Sequence, residues 1–208
     1  MGDRKRTGIV PLDRKLGGGI PTGSTVLFTA PPASQAELIL ASIAGQHETL
    51  YLATERPDES VRATLEQNRS RDEAVHVSHV DSTDPLGAVY RQLREAALPD
   101  VVVVDRIETL EHEGADGYRP LLETLTQKAR ATDTVVVLHG TDSEATTSER
   151  ERTAYVADIV FELETEFDGN TLTNRLFVPK FRGGKALPDP LSLELTERIF
   201  VDTSRDIA

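Results

Sequence analysis

Residues 7–32 read "TGIVPLDRKLGGGIPTGSTVLFTAPP" and contain the strongest fold signal in the chain. Three consecutive glycines lead to the apolar run 25–29, and a Pro-Pro pair at Pro31 and Pro32 follows that run. An apolar run ended by proline predicts a buried strand and then a sharp turn. The next segment, 37–44, has helical spacing. The stretch therefore predicts a strand, a loop and a helix in direct succession.

Further apolar runs predict more strands, and helical segments lie between them. The strand predictions are 49–53, 75–77, 101–104 and 134–138, and the helix predictions are 57–68, 85–97 and 117–131. Strands that alternate with helices of this length predict an α/β fold with a central, mostly parallel sheet and helices on both faces.

The pattern changes to a period of two after Asp158. The alternation around Asp168, Gly169 and Asn170 predicts an antiparallel C-terminal hairpin, and the runs 191–195 and 198–201 predict edge strands. The polar segment 140–152 predicts a mobile loop. We expect one domain over residues 1–208, with a core of about 7–165 and a hairpin region of about 158–203.

Composition limits the classes of partner. The formal net charge is -12, from 35 acidic and 23 basic residues, which argues against a sequence-independent grip on nucleic acid or anionic lipid. Adaptation to a salty (halophilic) cytoplasm and a basic partner both explain such a charge. The chain has no cysteine, no apolar signal core and no apolar run near the roughly 18 residues that span a bilayer. We expect a cytoplasmic, unprocessed protein without membrane contact.

The order of these motifs resembles the RecA superfamily, in particular its archaeal KaiC-like and RadA-like members. Those proteins open with "TGIPxLDxxLGGGIPxGS", a strand and the phosphate loop "GPPGSGKT" (Walker A). "VVVVD" resembles their second nucleotide-site strand, with Asp105 at its end, and "YVADIVFEL" with "VPKFRGG" resembles their C-terminal strand and K-x-R-G hairpin. The resemblance implies a RecA-like P-loop NTPase fold. The residues of the opening stretch that fall in register are Gly8, Leu12, Asp13, Leu16, Gly17, Gly18, Gly19, Ile20, Pro21, Gly23 and Ser24.

The phosphate loop departs from that pattern, so the Walker A motif is degenerate. Alanine and glutamine replace glycines whose positive dihedrals wrap the amides around phosphate. Ala36 stands where the resemblance implies a lysine, and Glu37 where it implies a magnesium-binding hydroxyl. Each charge change costs about 3 kcal/mol at 5 Å and an effective dielectric of about 20. The residues that replace the motif are Ala30, Pro31, Pro32, Ala33, Ser34, Gln35, Ala36 and Glu37.

The same residues form an S-x-x-E pattern, which predicts a capping box. In it, Ser34 accepts from the Glu37 amide and the Glu37 carboxylate accepts from the Ser34 amide. The helix would then supply its own anion at the positive end of its dipole. The alternative is a Glu37 side chain that points into solvent.

Two acidic residues are candidate remnants of a catalytic site. The resemblance implies that Glu55 activates water and that Asp105 holds magnesium through water. The alternatives are a solvated Glu55, and an Asp105 that caps its loop or pairs with a nearby arginine such as Arg106. In the KaiC-like branch a second acid often follows the first, and here that position is Arg56.

Lys180 and Arg182 resemble the pair that reaches a neighbouring subunit's outer phosphate in KaiC-like rings. Residues two apart lie on one face of a strand, so both cations can point at one anion. The alternative is an edge hairpin with solubilising charges. The five histidines do not form a ligand cluster, and we expect no metal site.

Three functional hypotheses follow. The first is a non-catalytic RecA/KaiC-like regulatory or scaffold protein, a pseudo-ATPase without cofactor that binds an active paralogue or forms a homo-oligomer. The second is a divergent ATPase, with ATP and magnesium, in signalling or DNA recombination and repair. The third is a recombination mediator that contacts DNA through the loops after Asp105 and His139. The acidic residues of those loops argue against DNA contact.

Overall fold

The computed structural model describes residues 3–68, 74–94, 98–142, 147–168, 171–196 and 199–201. In chain order, strands β1 to β11 are Arg4–Lys5, Ile20–Pro21, Thr25–Ala30, Thr49–Ala53, Val75–His79, Val101–Asp105, Val135–Thr141, Ile159–Asp168, Thr171–Phe181, Leu191–Leu195 and Ile199–Val201. Helices α1 to α7 are Val10–Lys15, Ala36–Ala44, Asp58–Asn68, Pro85–Leu93, Glu108–Glu111, Gly114–Thr132 and Ser148–Val156.

Across the described residues, nine strands form one sheet in the order β11-β10-β9-β8-β3-β7-β6-β4-β5. The strands from β8 to β5 pair in parallel, and β9, β10 and β11 add antiparallel pairs at one side. Strand β3 lies between β8 and β7, as its continuous apolar sequence predicts for a strand buried on both faces. The predicted α/β fold, with a mostly parallel sheet and an antiparallel C-terminal hairpin, is confirmed.

Alternate side chains of the central strands build two separate hydrophobic clusters. Phe28, Tyr51 and Val103 belong to the cluster that includes α2 and α3. Leu27, Leu52 and Val104 belong to the other, which includes α4, α5 and α6. Helices therefore cover both faces of the sheet, as the sequence predicts.

The glycine triplet brings two segments into close contact. Gly19 has a φ of 123°, and a Cβ atom there would overlap the carbonyl oxygen of Lys5. Lys5 pairs with Ile20 where β1 meets β2. Because only glycine accepts both this dihedral and this approach, Gly19 fixes the path of the chain into β3.

Several predicted bounds are wrong. The segment 140–152, predicted as a loop, begins with the last two residues of β7 and contains the start of α7 from Ser148. Residues 143–146 lie outside the described residues. Helix α4 ends at Leu93, and the predicted 95–97 are also outside the described part. The predicted hairpin turn at Gly169 and Asn170 and the strand start at Arg198 likewise fall outside it. No helix of the described ranges is long and apolar enough to cross a membrane.

Candidate functional site

The loop after β3 has a backbone unlike a phosphate cradle. No residue from Ala30 to Glu37 has a positive φ, whereas an anion-binding nest alternates right- and left-handed residues. The Ser34 amide donates to the Pro31 carbonyl at 3.1 Å, so this amide has an internal acceptor. Pro31 and Pro32 have no amide hydrogen. The proline pair also occurs in the "GPPGSGKT" pattern, so the differences lie in the backbone dihedrals and in the internally bonded Ser34 amide.

The predicted capping box is wrong. Helix α2 begins at Ala36 with Gln35 as N-cap, and no side chain makes a capping hydrogen bond. The Ser34 hydroxyl donates backwards to the Pro31 carbonyl at 2.7 Å, and its amide uses the same acceptor. Glu37 is half-buried in the first turn of α2, where its charge is favourable next to the helix dipole.

Asp105, at the end of β6, is the centre of a buried polar cluster. Its Oδ1 lies 2.7 Å from Nδ1 of His139, and its Oδ2 accepts from the Tyr51 hydroxyl at 2.7 Å and from the Arg56 guanidinium at 2.9 Å. The Asp105 side chain is only 4% exposed. Phe28 packs against the His139 ring, with the ring centroids 5.3 Å apart. The cluster therefore spans four adjacent strands at their carboxyl ends.

The environment keeps Asp105 ionised. Burial raises its pKa, but the hydrogen bond and charge of His139, the charge of Arg56 and the Tyr51 hydrogen bond lower it to about 2. Burial and the neighbouring Asp105 charge raise the pKa of Tyr51 well above its usual value, so Tyr51 stays a neutral donor. For Arg56, burial lowers the pKa, while Asp105 and Tyr51 raise it by more. The negative charge of the Asp105 carboxylate is therefore balanced by the positive charge of the Arg56 guanidinium.

Asp105 pairs with an arginine, as one of the sequence alternatives predicts, but the partner is Arg56 and not Arg106. Arg106 is the first residue after β6, and its side chain turns away from Asp105. Its guanidinium lies 3.2 Å from the Glu55 carboxylate and 3.7 Å from that of Glu108. The Glu55 side chain is 45% exposed, which agrees with the alternative of a solvated glutamate. The agreement is partial, because Glu55 also pairs with Arg106.

The residues at Asp105 do not fit a magnesium ion. Magnesium requires oxygen ligands, usually carboxylates and waters, in octahedral geometry. Both carboxylate oxygens of Asp105 already accept hydrogen bonds, and a guanidinium has no lone pair to offer. Among the residues that the structure describes, no group of three or more His, Cys, Asp or Glu side chains could hold a metal.

Lys180 and Arg182 lie together, as their spacing predicts, and both point at the C-terminus of α7. Lys180 Nζ donates to the carbonyls of Ala154 and Tyr155 at 2.6 and 2.8 Å. Arg182 donates to Tyr155 and Val156 at 2.6 and 3.1 Å. Helix C-termini carry free carbonyls and partial negative charge, which cations stabilise. The pair therefore caps α7 internally.

The position of this pair relative to the loop is fixed by the sheet register. Lys180 pairs with Val160 near the start of β8, and β8 runs parallel to β3. Lys180 and Arg182 thus lie at the edge where parallel strands begin, and the loop after Ala30 lies at the edge where they end. Within one chain the two cations and the loop are on opposite edges of the sheet.

An acidic cleft of about 860 Å³ lies on the face that α5 and α7 cover. Its anchor is Arg150, whose side chain is 12% exposed. Arg150 binds Glu111 through two hydrogen bonds of 2.9 Å, Glu108 at 3.0 Å and the Thr141 carbonyl at 2.9 Å. Burial, Asp142 and Glu164 raise the pKa of Glu162 at its rim. The acidic residues of the lining are Glu108, Glu111, Asp142, Glu149, Glu151, Glu162 and Glu164, against Arg106 and Arg150. Such a lining repels phosphate groups.

A family model described as a family of unknown function, DUF7125, matches residues 4–208. The chain belongs to DUF7125. This DUF7125 chain is 27% identical over 177 residues to the DNA repair protein RadA of Mycobacterium tuberculosis, covering 78% of the chain and 36% of that protein. It is 28% identical over 138 residues to the DNA repair protein RadA of Mycolicibacterium smegmatis, covering 60% of the chain and 28% of that protein. The chain spans about a third of the length of these curated relatives.

The fold of the DUF7125 chain has a solved counterpart. A KaiC-like protein from the hyperthermophilic archaeon Pyrococcus horikoshii superposes with a TM-score of 0.75 and 16% identity, over 97% of this chain and all of that one. At this identity the likeness concerns the fold alone. Together with the RadA relatives, it supports a RecA/KaiC-like superfamily, as the opening motif implies.

Sequence reasoning missed three members of the Asp105 cluster in this DUF7125 chain. The contact of His139 could have been predicted, because His139 and Asp105 each follow a predicted strand. In the structure, β6 and β7 place the two residues directly opposite each other. Tyr51 shares a face with Ala53, which is paired with Asp105. Arg56 comes from a turn after β4, and no periodic pattern extends to it. Arg150 packs against Gly140, where any Cβ atom would meet its guanidinium.

Proposed function

We propose that this chain is a RecA/KaiC-like protein that neither binds nor hydrolyses ATP and that acts through a protein partner. The observation that carries the proposal is the backbone of the loop after β3. A loop that lacks left-handed residues, and in which the Ser34 amide has an internal acceptor, does not wrap its amides around a phosphate chain as an αR-αL nest does.

The charges of the loop support the same proposal. Ala36 is buried and offers no cation, while Glu37 puts a carboxylate in the first turn of α2. Relative to a lysine and a hydroxyl at these positions, each change costs about 3 kcal/mol at an effective dielectric of about 20. Together they lower the affinity on the order of ten-thousandfold.

The partner we propose is a nucleotide-binding RecA/KaiC-like subunit. Lys180 and Arg182 lie on the opposite edge of the sheet from the chain's own loop, so only a neighbour's nucleotide is within their reach in a head-to-tail arrangement. In the free chain both cations bind α7 carbonyls. To contact an outer phosphate they exchange these carbonyls for a stronger, charged acceptor.

Calorimetric titration of the chain with magnesium ATP tests the nucleotide part. We expect no heat of binding at ATP concentrations up to about a millimolar, and a micromolar dissociation constant contradicts the proposal. The loop variant Ala33→Gly, Gln35→Gly, Ala36→Lys and Glu37→Thr should regain ATP binding, because strand β3 and helix α2 on either side of the loop are present. The matched control carries four substitutions of the same kind at exposed helix positions away from the loop.

The second candidate is a divergent ATPase in DNA repair. The RadA relatives favour it, since their names assign them to DNA repair. The same titration separates the two candidates, because an ATPase must bind magnesium ATP in its unsubstituted form.

A further inference from the structure

We propose that Arg56 is a built-in cation that takes the place of a divalent metal at Asp105. Metal exclusion at this carboxylate is then a property of Arg56 and does not depend on the loop after β3. The inference deepens the proposed function. It rests on that function in one respect: a chain that binds no nucleotide does not need a metal at Asp105.

The first step is the set of acceptors on Asp105. Oδ1 faces His139, and Oδ2 accepts from both Tyr51 and Arg56. Arg56 is the charged one of the two donors to Oδ2, and it lies at 2.9 Å. A metal ion at Oδ2 would have to displace a guanidinium that already neutralises the carboxylate, and the two cations would repel each other.

The second step is that the chain holds Arg56 in position. Thr54, two residues earlier, donates its amide to the Asp105 carbonyl at 2.9 Å and its hydroxyl to the Arg106 carbonyl at 2.8 Å. The turn after β4 is therefore tied to the end of β6 before Arg56 reaches the carboxylate. Arg56 also donates to the Tyr51 hydroxyl at 3.3 Å.

The third step is burial, which separates this pair from a surface ion pair. The side chains of Arg56 and Asp105 are 33% and 4% exposed, whereas those of Arg91 and Asp84, also 2.9 Å apart, are 60% and 57% exposed. Exposed pairs exchange readily with solvent ions, but a buried carboxylate is left uncompensated when its partner leaves. Asp105 therefore retains Arg56 in preference to a hydrated metal ion.

The consequence is that removal of Arg56 exposes a carboxylate oxygen that a divalent cation can use. Arg56→Ala takes away both the positive charge and the side-chain volume at Oδ2. Arg56→Lys keeps a positive charge without the planar fork, so it should still exclude the metal.

The test is Mn²⁺ binding, followed by electron paramagnetic resonance without nucleotide and at constant ionic strength. We expect Arg56→Ala to gain a site at least tenfold tighter than any in the unsubstituted chain, and Arg56→Lys and the surface control Arg91→Ala to gain none. The site should vanish in Arg56→Ala with Asp105→Asn. Circular dichroism identifies any variant that fails to fold, and in that event Arg56→Gln takes its place.

Two results overturn the inference: an Arg56→Ala that binds Mn²⁺ no better than Arg91→Ala, and a gained site that survives Asp105→Asn. A second measurement uses the four-substitution loop variant. In the loop variant that retains Arg56, the ATP affinity measured with magnesium should differ less than threefold from the affinity measured with a chelator. In the loop variant that also carries Arg56→Ala, this ratio of affinities should rise to tenfold or more. Binding of magnesium ATP by the unsubstituted chain would contradict the proposed function alone, so the two failures are distinguishable.

Discussion

Asp105, the last residue of β6, is paired with His139 in the neighbouring parallel strand β7, and Oδ1 of Asp105 lies 2.7 Å from Nδ1 of His139. The contact joins β6 to β7 beyond their backbone ladder. The side chains of His139 and Asp105 are only 12% and 4% exposed, so we expect the ionisation of this carboxylate to affect the stability of the folded chain.

Asp105 should make stability depend on pH in the acid range. Its pKa falls from 3.8 to about 2 on folding. Because the pKa is lower in the folded state, ionised Asp105 stabilises the protein when the pH is above the pKa of the unfolded state. This stabilisation disappears as the pH falls from about 4 towards 2. The contribution is about 2 kcal/mol at neutral pH. Urea unfolding at pH 7 and pH 3 should show a loss in Asp105→Asn that is largest at pH 7. The exposed Asp189→Asn is the control, and a loss that grows at pH 3 contradicts the assignment.

Arg150 should contribute far more to stability than a surface arginine. Arg150→Ala leaves Glu111, which is 4% exposed, and Glu108 without their shared partner. Removal of one partner from a buried ion pair costs roughly 3 to 5 kcal/mol. Arg91→Ala, which breaks a pair of the same length at the surface, should cost less than about 1 kcal/mol. Urea denaturation measures both, and equal losses would show that Arg150 has no special role in joining α7 to α5.

Gly19 should tolerate no side chain, although it lies outside the loop after β3. Gly19→Ala combines a φ of 123° with overlap of the Lys5 carbonyl, and we expect a loss of about 3 kcal/mol or more. Gly114→Ala is matched in having a positive φ of 76° but has open space around the new methyl group. It should cost only about 1 to 2 kcal/mol. Thermal unfolding of the two variants compares them, and similar melting temperatures would mean that the contact with Lys5 relaxes freely.

The internal role of Lys180 and Arg182 predicts a stability effect that their proposed role in trans does not. Alanine at both positions removes donors to three α7 carbonyls. Each hydrogen bond is worth on the order of 1 kcal/mol, and less here because Arg182 is exposed. Urea unfolding measures this loss.

The proposed contact of Lys180 and Arg182 with a neighbour's phosphate is measured separately. Light scattering follows the association of the chain with an ATP-loaded and with an ADP-loaded RecA/KaiC-like subunit. An unchanged preference for ATP in the variant would exclude the phosphate contact.

The sequence predicts the central strands well because each is apolar on both faces. Strand β4 has the predicted bounds of Thr49–Ala53, and β3 differs by one residue. It does not predict α7, whose described side chains include only Thr153 as a buried residue, so no apolar stripe indicates a helix. Arg150, which attaches α7 to the core through ion pairs, makes no periodic pattern.

The site is less predictable than the fold, since its contacts depend on side-chain direction. The S-x-x-E pattern at Ser34 and Glu37 favours a capping box, yet Ser34 turns back to Pro31 and leaves the pattern unused. Asp105 and Arg106 are adjacent in sequence but point to opposite faces, while Arg56 is distant in sequence and close in space. The charges that meet at Asp105 are brought together by the fold and are not indicated by their spacing along the chain.

The opposite placement of the loop and the hairpin cations has a consequence for stoichiometry. If the chain binds no nucleotide and completes a neighbour's site, as we propose, each copy in a ring or filament would leave one nucleotide site empty. The subunit on its other side would keep its nucleotide. Each incorporated copy would lower the number of nucleotides bound per assembly by one. Native mass spectrometry of mixed assemblies would register that as a whole-number decrement, so the ratio of the two chains in a cell would set the nucleotide load in discrete steps.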